Sequence, residues 1–383
     1  QLFFLQFTVS YIQELLKKLI AFKSLTPDSD GCTRFAAEYL DGFERIDANK
    51  NGVENIFLYK KFNNGPHLCF AGHIDVVPAG EGWNSDPFAA LEKDGVIFGR
   101  GAADMKGGVA AFLYAAKNAK DFCGTLSVLL TSDEEGDAEF GTVYMLEKLK
   151  ELNMLPDYCI VAEPTCEAVF GDTIKVGRRG SVNGVLTIRG RGGHAAYPEK
   201  AVNPITLLSR VLPKISDAKL DNGDQYFSAS RLVVTDIKGG YGKHNVIPSE
   251  ITVMFNVRNS TATSNFDIEN FIKGVLSGEE IDNYELKISV GSKSFIIDSN
   301  NSSEQYFGLL SNIIAEESGI NPKASTAGGT SDARFIAEYG IKVLEFGVRN
   351  ETIHAPNECV ETEEIEKLTA IFQKLIGDFS LKI

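Results

Sequence analysis

The sequence predicts a two-domain α/β protein, in which an α/β sheet domain is interrupted by a smaller α+β insert. Strands and helices alternate between residues 67 and 162, the order that builds a mostly parallel sheet covered by helices. Near Gly180 the order changes to β-α-β-β-α-β, the split βαβ pattern of ferredoxin-like domains. The first rhythm then resumes. At 383 residues the chain is too long for one small core. The expected division places residues 1–179 and 294–383 in the sheet domain and 180–293 in the insert.

The elements follow from local pattern. Within residues 10–23, Ile12, Leu15, Leu16, Leu19 and Ile20 recur at helical spacing, and a second helix is expected at 32–41. HLCFAG (67–72), LSVLLTS (126–132) and YCIVA (158–162) are continuous apolar runs of strand length, and residues 96–98 form a shorter strand. GGVAAFLYAAKNA (107–119) and TVYMLEKLKEL (142–152) are helices between them. In the insert, SVNGVLTIRG, RLVVTDIKG and EITVMFNVR are strands, with a last strand near 284–290. NPITLLSRVLPKI (203–215) and residues 265–276 are its helices. A helix at 303–317, the strand KVLEF (342–346) and a helix at 362–378 complete the sheet domain. SGEEIDN (277–283) and IDSNNSSE (297–304) are polar loops at the boundaries.

Composition narrows the class. The hydrophobic and charged fractions, 43% and 23%, are those of an ordinary globular protein. A net charge of −14 argues against nucleic acid and against anionic membranes as partners. Cys32, Cys69, Cys123, Cys159, Cys166 and Cys359 are widely spaced with no C-x-x-C pair, so reduced thiols and a cytoplasmic location are expected. The apolar stretch at 2–7 has no basic residue before it and no small-residue cleavage site after it. It is a poor signal peptide, and an extended start is expected as readily. No run is long enough to span a bilayer.

Acidic and histidine residues gather at predicted strand ends: His73 and Asp75 in AGHIDVVP, Glu134 and Glu135 in TSDEEG, Glu163 in VAEP, with Asp104 in GRGAADMKGG and His354 in ETIHAPNE. Taken singly, each has an ordinary explanation. A loop His or Glu is usually solvated, and an Asp before a helix is usually its cap. Taken together they sit at equivalent positions, because open α/β sheets bind ligands outside the carboxyl ends of their strands. So many carboxylates and imidazoles in one cleft require a cation to hold them. Two histidines, several carboxylates and no cysteine suit Zn2+, with Co2+ or Mn2+ as substitutes. Five ligands exceed one tetrahedral site with an open position, and suit two metals about 3.5–4 Å apart sharing a carboxylate and a water. Asp75, two residues after His73, can accept from the imidazole N–H. Glu134 and Glu135 point to different sides of an extended segment, so one can bind metal while the other serves as general base.

These segments resemble the M20 family of co-catalytic zinc aminoacylases and exopeptidases. AGHIDVVP, GRGAADMKGG, SDEEG, EP, GRRGS, GGHAAYP, NVIP, GGTSDARF and TIHAPNECV occur in family order from about residue 70 to 360. The resemblance implies His73 and Glu163 at one zinc, Glu135 and His354 at the other, and Asp104 bridging, with a cis Asp104–Met105 peptide. It implies Glu134 as the base, Asp75 as orienter of His73, and His194 reaching across a homodimer interface to stabilise the oxyanion. That dimer would form through the insert, which would also act as a lid.

GRGAADMKG, VGRRGS, GHAAYPEKAVNP and GGTSDARFIAEYG favour the branch of the family that removes succinate from an acylated diamino dicarboxylic acid, in lysine and diaminopimelate synthesis. Deacetylation of an ornithine derivative, or peptide trimming, is the alternative. Guanidinium forks suit such a small, multiply anionic substrate. Arg178 and Arg258 match substrate positions, as do Ser181, Tyr197, Asn245, Gly329 and Thr330, while Arg179 suits a structural pairing. Two departures stand out: His244 replaces an Asn before NVIP, and Gly347-Val348-Arg349-Asn350-Glu351 adds charge before His354. His67 has no family role and is expected to be structural.

Overall fold

The computed structural model describes residues 2–298 and 300–382; Ser299, inside the polar segment 297–304, lies outside them. Two compact units emerge. One comprises residues 1–177, 297–325 and 331–383, and the other residues 178–296 and 326–330.

The larger unit is built on a mixed sheet. Its strands lie side by side in the order Glu44–Asp47, Asn55–Lys61, Thr125–Thr131, His67–His73, Tyr158–Val161, Lys342–Glu345, Thr173–Lys175, Lys323–Ser325. The central four, from Thr125–Thr131 to Lys342–Glu345, are parallel. Sequence pattern alone suggests a mostly parallel sheet, but both flanks differ. Residues 44–61 form a hairpin that joins the sheet antiparallel. Thr173–Lys175 meets Lys342–Glu345 antiparallel and Lys323–Ser325 parallel.

The helix Gly107–Lys117 and the closing helix Thr362–Lys382 press on one sheet face. There Phe70 meets Phe112 and Phe372 at ring separations of 5.8 and 5.1 Å. The first helix spans Leu2–Ala21, so the start is helical rather than extended. Ile12, Leu15, Leu16, Leu19 and Ile20 are all buried, the stripe that their spacing predicts.

The smaller unit has the β-α-β-β-α-β order. Its strands lie in the order Arg231–Gly239, Glu250–Arg258, Ser181–Arg189, Tyr284–Ser292, all antiparallel. Helices Pro204–Ile215 and Asn265–Gly278 cover one face, burying Leu208, Val211, Ile268 and Ile272 against Leu186, Val253 and Phe255. Asn203 caps the first helix through Ile205 N, and Ser264 with Asp267 forms a capping box on the second. Among the described residues no helix is long and apolar enough to cross a membrane, and Cys32, Cys69, Cys159, Cys166 and Cys359 are free thiols.

Candidate metal centre

The parallel strands of the larger unit deliver the acidic and imidazole groups to one edge. His73 is the last residue of His67–His73, and its in-register neighbour Thr131 ends the adjacent strand. Glu134 and Glu135 follow Thr131 in a turn, and Glu163 follows Val161 of the third strand. His354 lies on the loop after Lys342–Glu345. Asp104 sits in the wide turn Ala102–Lys106 that opens into the helix Gly107–Lys117. Gly101 enters that turn at φ 82, where a Cβ would stand 2.6 Å from Val76 Cγ1, so only glycine fits. The Asp104–Met105 bond is cis. Met105 folds back so that its sulfur receives the His73 amide at 3.4 Å. A Cβ on Gly72 would collide with the Met105 methyl at 2.6 Å.

Asp104 stands between the two imidazoles. Its Oδ1 lies 3.2 Å from His73 Nε2 and its Oδ2 lies 3.4 Å from His354 Nε2. Glu163 Oε1 is 3.8 Å from His73 Nε2, and Glu135 Oε1 is 2.9 Å from His354 Nε2. Glu134 Oε2 approaches His73 Nε2 at 3.9 Å. Three groups of donors therefore fall within metal-sharing distance: His73–Asp104–Glu163, Asp104–Glu135–His354 and His73–Glu134–Glu135. His354 holds φ 58, a left-handed conformation that costs a non-glycine residue about 1–3 kcal/mol and recurs at functional sites.

Electrostatics show how strained this cluster is by itself. Burial pushes the Glu163 carboxyl well above its ordinary range, helped by Asp104 and Glu134 and opposed by His73. Burial likewise pushes Glu134 up to about 8, with His73 opposing and Asp332, Asp104 and Glu135 adding to the rise. Burial also acts against Asp104, but the hydrogen bonds from His354 and His73 hold it well below the usual carboxylate range. Bonds to Asp104 and Glu135 raise His354 to about 10. Carboxylates outnumber imidazoles here, and the surplus negative charge is buried. A pair of divalent cations would neutralise that surplus, and the nitrogen-and-oxygen donor set without thiolate matches such cations.

Asp75 differs from its expected geometry. The His73 Nδ1 lies 2.9 Å from the Asp75 backbone carbonyl and 3.6 Å from its carboxylate. The carboxylate instead accepts the amides of Glu134 at 3.4 Å and Glu135 at 3.0 Å. Burial raises Asp75 to about 6, against the pull of His73 and of the Glu135 amide.

The residues expected to hold substrate all fall in the smaller unit. Arg178 is buried and donates through Nη1 to the carbonyls of Ala327 and Gly329, at 3.4 and 3.3 Å. Ser181 Oγ accepts from Asn256 at 3.0 Å. Tyr197, Asn245, Arg258, Gly329 and Thr330 are exposed. His194 is exposed too, and its Nδ1 accepts from Ala196 N at 3.1 Å. His244 is exposed, and the Arg179 Nε is buried with no hydrogen-bond partner. The departure at Arg349 resolves as a structural one: its guanidinium pairs with Glu364 and Glu361 and approaches Glu351 at 3.8 Å. His67 is structural as well, with Nε2 2.8 Å from Ser127 Oγ.

Sequence reasoning passed over Glu358, which lies within the quoted TIHAPNECV segment. Its carboxylate is fully buried and accepts the amides of Gly101, Ala103 and Asp104. Its partners sit on a segment far away in the chain, so no spacing could reveal it. Asp332 was also passed over: it is buried beside Thr142, with Oδ1 unbonded.

Comparison with known proteins agrees with the site. The chain is 56% identical over 366 residues to the succinyl-diaminopimelate desuccinylase of a Nitratiruptor species, covering 96% of this chain and 99% of that protein. It is 55% identical to the protein of the same name from Sulfurimonas denitrificans, covering 95% and 98% of the two chains. The aminopeptidase PepT of Bacillus cereus shares the fold, with a TM-score of 0.77 at 21% identity over 95% of this chain and 98% of that one. Residues 69–378 match the family described as peptidase family M20/M25/M40. That span runs from the strand carrying His73 to the helix behind His354, and the chain belongs to this family.

Proposed function

We propose that the protein hydrolyses N-succinyl-L,L-2,6-diaminopimelate to succinate and L,L-diaminopimelate, a step of lysine and diaminopimelate synthesis. The observation that carries this reading is 53–56% identity, along 95–96% of the chain, to proteins named for that activity. Zinc is the proposed metal, two ions per subunit, because the donors are imidazole and carboxylate without thiolate and include two groups that share Asp104. His73 and Glu163 would hold one ion, Glu135 and His354 the other, and Asp104 would serve both. Bound there, the ions supply Lewis-acid polarisation of the amide carbonyl and acidify water.

The remaining work falls to side chains. Glu134 projects into the cluster without belonging to either proposed ligand set. Its carboxylate, 3.9 Å from His73 Nε2, is placed to take a proton from attacking water and then release it. The water oxygen bonds to the amide carbonyl carbon, the carbon–nitrogen bond breaks, and Glu134 hands the proton to the leaving amine. His194 would donate to the developing oxyanion. Arg178 and Arg258 would fork onto substrate carboxylates, with Ser181, Tyr197, Asn245, Gly329 and Thr330 fixing its orientation.

A homodimer through the insert is proposed as well, with the insert acting as a lid. Its edge strand Arg231–Gly239 leaves Val233 and Ile237 about half exposed, and open apolar edges favour pairing. A cytoplasmic setting suits the buried thiols of Cys32, Cys69, Cys159 and Cys166. The deciding experiment is a side-by-side assay of zinc-loaded protein on succinyl-diaminopimelate and on N-acetylornithine. The succinyl substrate should be cleaved far faster, and equal or reversed rates would move the assignment to a deacetylase.

A further inference from the structure

We propose that Glu358, braced by Arg100, is a positioning residue that couples the Asp104 turn to the His354 loop and so sets the Glu135–His354 half of the metal centre. The proposal rests on reading Asp104 and His354 as ligands.

Glu358 and Arg100 are 0% and 1% exposed, far too buried for a surface pair. Glu358 Oε1 accepts the amides of Ala103 at 2.9 Å and Asp104 at 3.0 Å. Its Oε2 accepts the amide of Gly101 at 3.0 Å and Arg100 Nη1 at 2.8 Å. Three amides in and beside the turn that carries Asp104 therefore point at one carboxylate. The Glu358 backbone joins in, because its carbonyl accepts Gly99 N at 2.9 Å.

Arg100 spans to the other ligand. Its guanidinium donates to the carbonyls of His354 and Ala355, each at 3.4 Å, and to Ala79 at 3.1 Å. Trp83 lies against its plane at 5.2 Å. Glu358 thus grips the amide of Asp104 while its ion-pair partner grips the carbonyl of His354. These are the two residues whose side chains face each other at 3.4 Å across the centre. His73 and Glu163 make no contact with the clamp among the hydrogen bonds described. A fold-only role would set stability without discriminating between the two metal positions. Asp104 serves both positions and His354 only one, so a coupling role predicts the greater damage at the His354 position.

Glu358→Gln tests this, since the amide keeps the shape but must aim an N–H at existing donors whichever way it turns. Metal is stripped from wild type and variant, and Co2+ is returned stepwise while heat and the visible spectrum are recorded. Urea unfolding and kinetics run in parallel. Wild type should take up two equivalents. The variant should bind the first at close to wild-type affinity and the second about 10–100-fold more weakly. Its spectrum should change at the second equivalent, and kcat should fall with little change in KM. Two wild-type affinities and an unchanged spectrum, whatever the loss in urea stability, would overturn the proposal. Arg100→Lys keeps the charge but loses the fork, and should show the same asymmetry more weakly. If Glu358→Gln does not fold, an Arg100→Lys protein with wild-type Co2+ binding overturns the proposal by itself. Wild-type protein that takes up no Co2+ would overturn the ligand reading, and the coupling with it.

Discussion

The Nδ1 of His73 sits 2.9 Å from the backbone carbonyl of Asp75, closer than the 3.6 Å to its carboxylate. The carbonyl therefore fixes which ring nitrogen faces Asp104, and it survives any change of the Asp75 side chain. The carboxylate holds the Glu134–Glu135 turn by its amides. Asp75→Ala should keep the metal near His73 and lower kcat by about 10–100-fold through a slackened turn. Metal content by elemental analysis, alongside kcat, checks this. Loss of half the bound metal would show instead that the carboxylate acts on His73.

Glu134 lies 3.9 Å from His73 Nε2, in the same cleft as the proposed ligands. If it moves protons rather than holds metal, Glu134→Ala should retain full metal content and lose about 10²–10⁴-fold in kcat. Surviving activity would remove Glu134 from the base role. Full loss of one metal equivalent would make it a ligand.

His194 lies on the short strand Gly193–His194 of the smaller unit, paired with Val246–Ile247. Its proposed role is to serve the partner subunit's centre. His194→Ala should lower turnover with no change in metal content. A sharper test mixes inactive Glu134→Ala and His194→Ala proteins under conditions that exchange subunits. If His194 acts across the interface, half the dimers formed are mixed and each holds one complete site. About a quarter of wild-type activity should then return. No recovery in exchanged dimers would place His194 in its own subunit's site.

The centre was legible because its residues follow the chain's strongest strand signals. His73 ends the HLCFAGH strand, Glu163 follows YCIVA, and Glu134 and Glu135 follow LSVLLTS. Strand period and the carboxyl-edge rule suffice to gather them. The insert was equally legible, because its strands alternate buried and exposed positions. What stayed hidden was short or remote. Thr173–Lys175 and Lys323–Ser325 are three-residue strands, too brief for any period to emerge. Asn55–Lys61 begins with four buried residues in a row, so it lacks the alternation of a half-exposed strand. Glu358 binds amides 254 to 257 residues away in the chain. At Asp75 the two-residue spacing places the residue beside His73, but the local bend turns its carbonyl rather than its carboxylate toward the ring.

His67 opens the strand that His73 closes, and burial lowers its pKa from 6.5 to about 4 against the pull of Asp157. Ser127 Oγ lies 2.8 Å from Nε2, and the Phe57 ring packs edge-on at 6.0 Å. Above pH 6.5 the imidazole is neutral in the folded and unfolded chains, so it adds no pH dependence. As pH falls from 6.5 toward 4 the unfolded chain binds a proton that the folded chain refuses. Stability must drop across that window and level off below it, by at most about 3 kcal/mol. His67→Gln removes the titration while keeping a group that can bond Ser127. Urea midpoints measured from pH 7 to 4 should therefore fall more steeply for wild type than for the variant, narrowing any advantage that wild type holds at pH 7. A stability difference that stays constant across the range would mean that the folded protein does not hold His67 neutral.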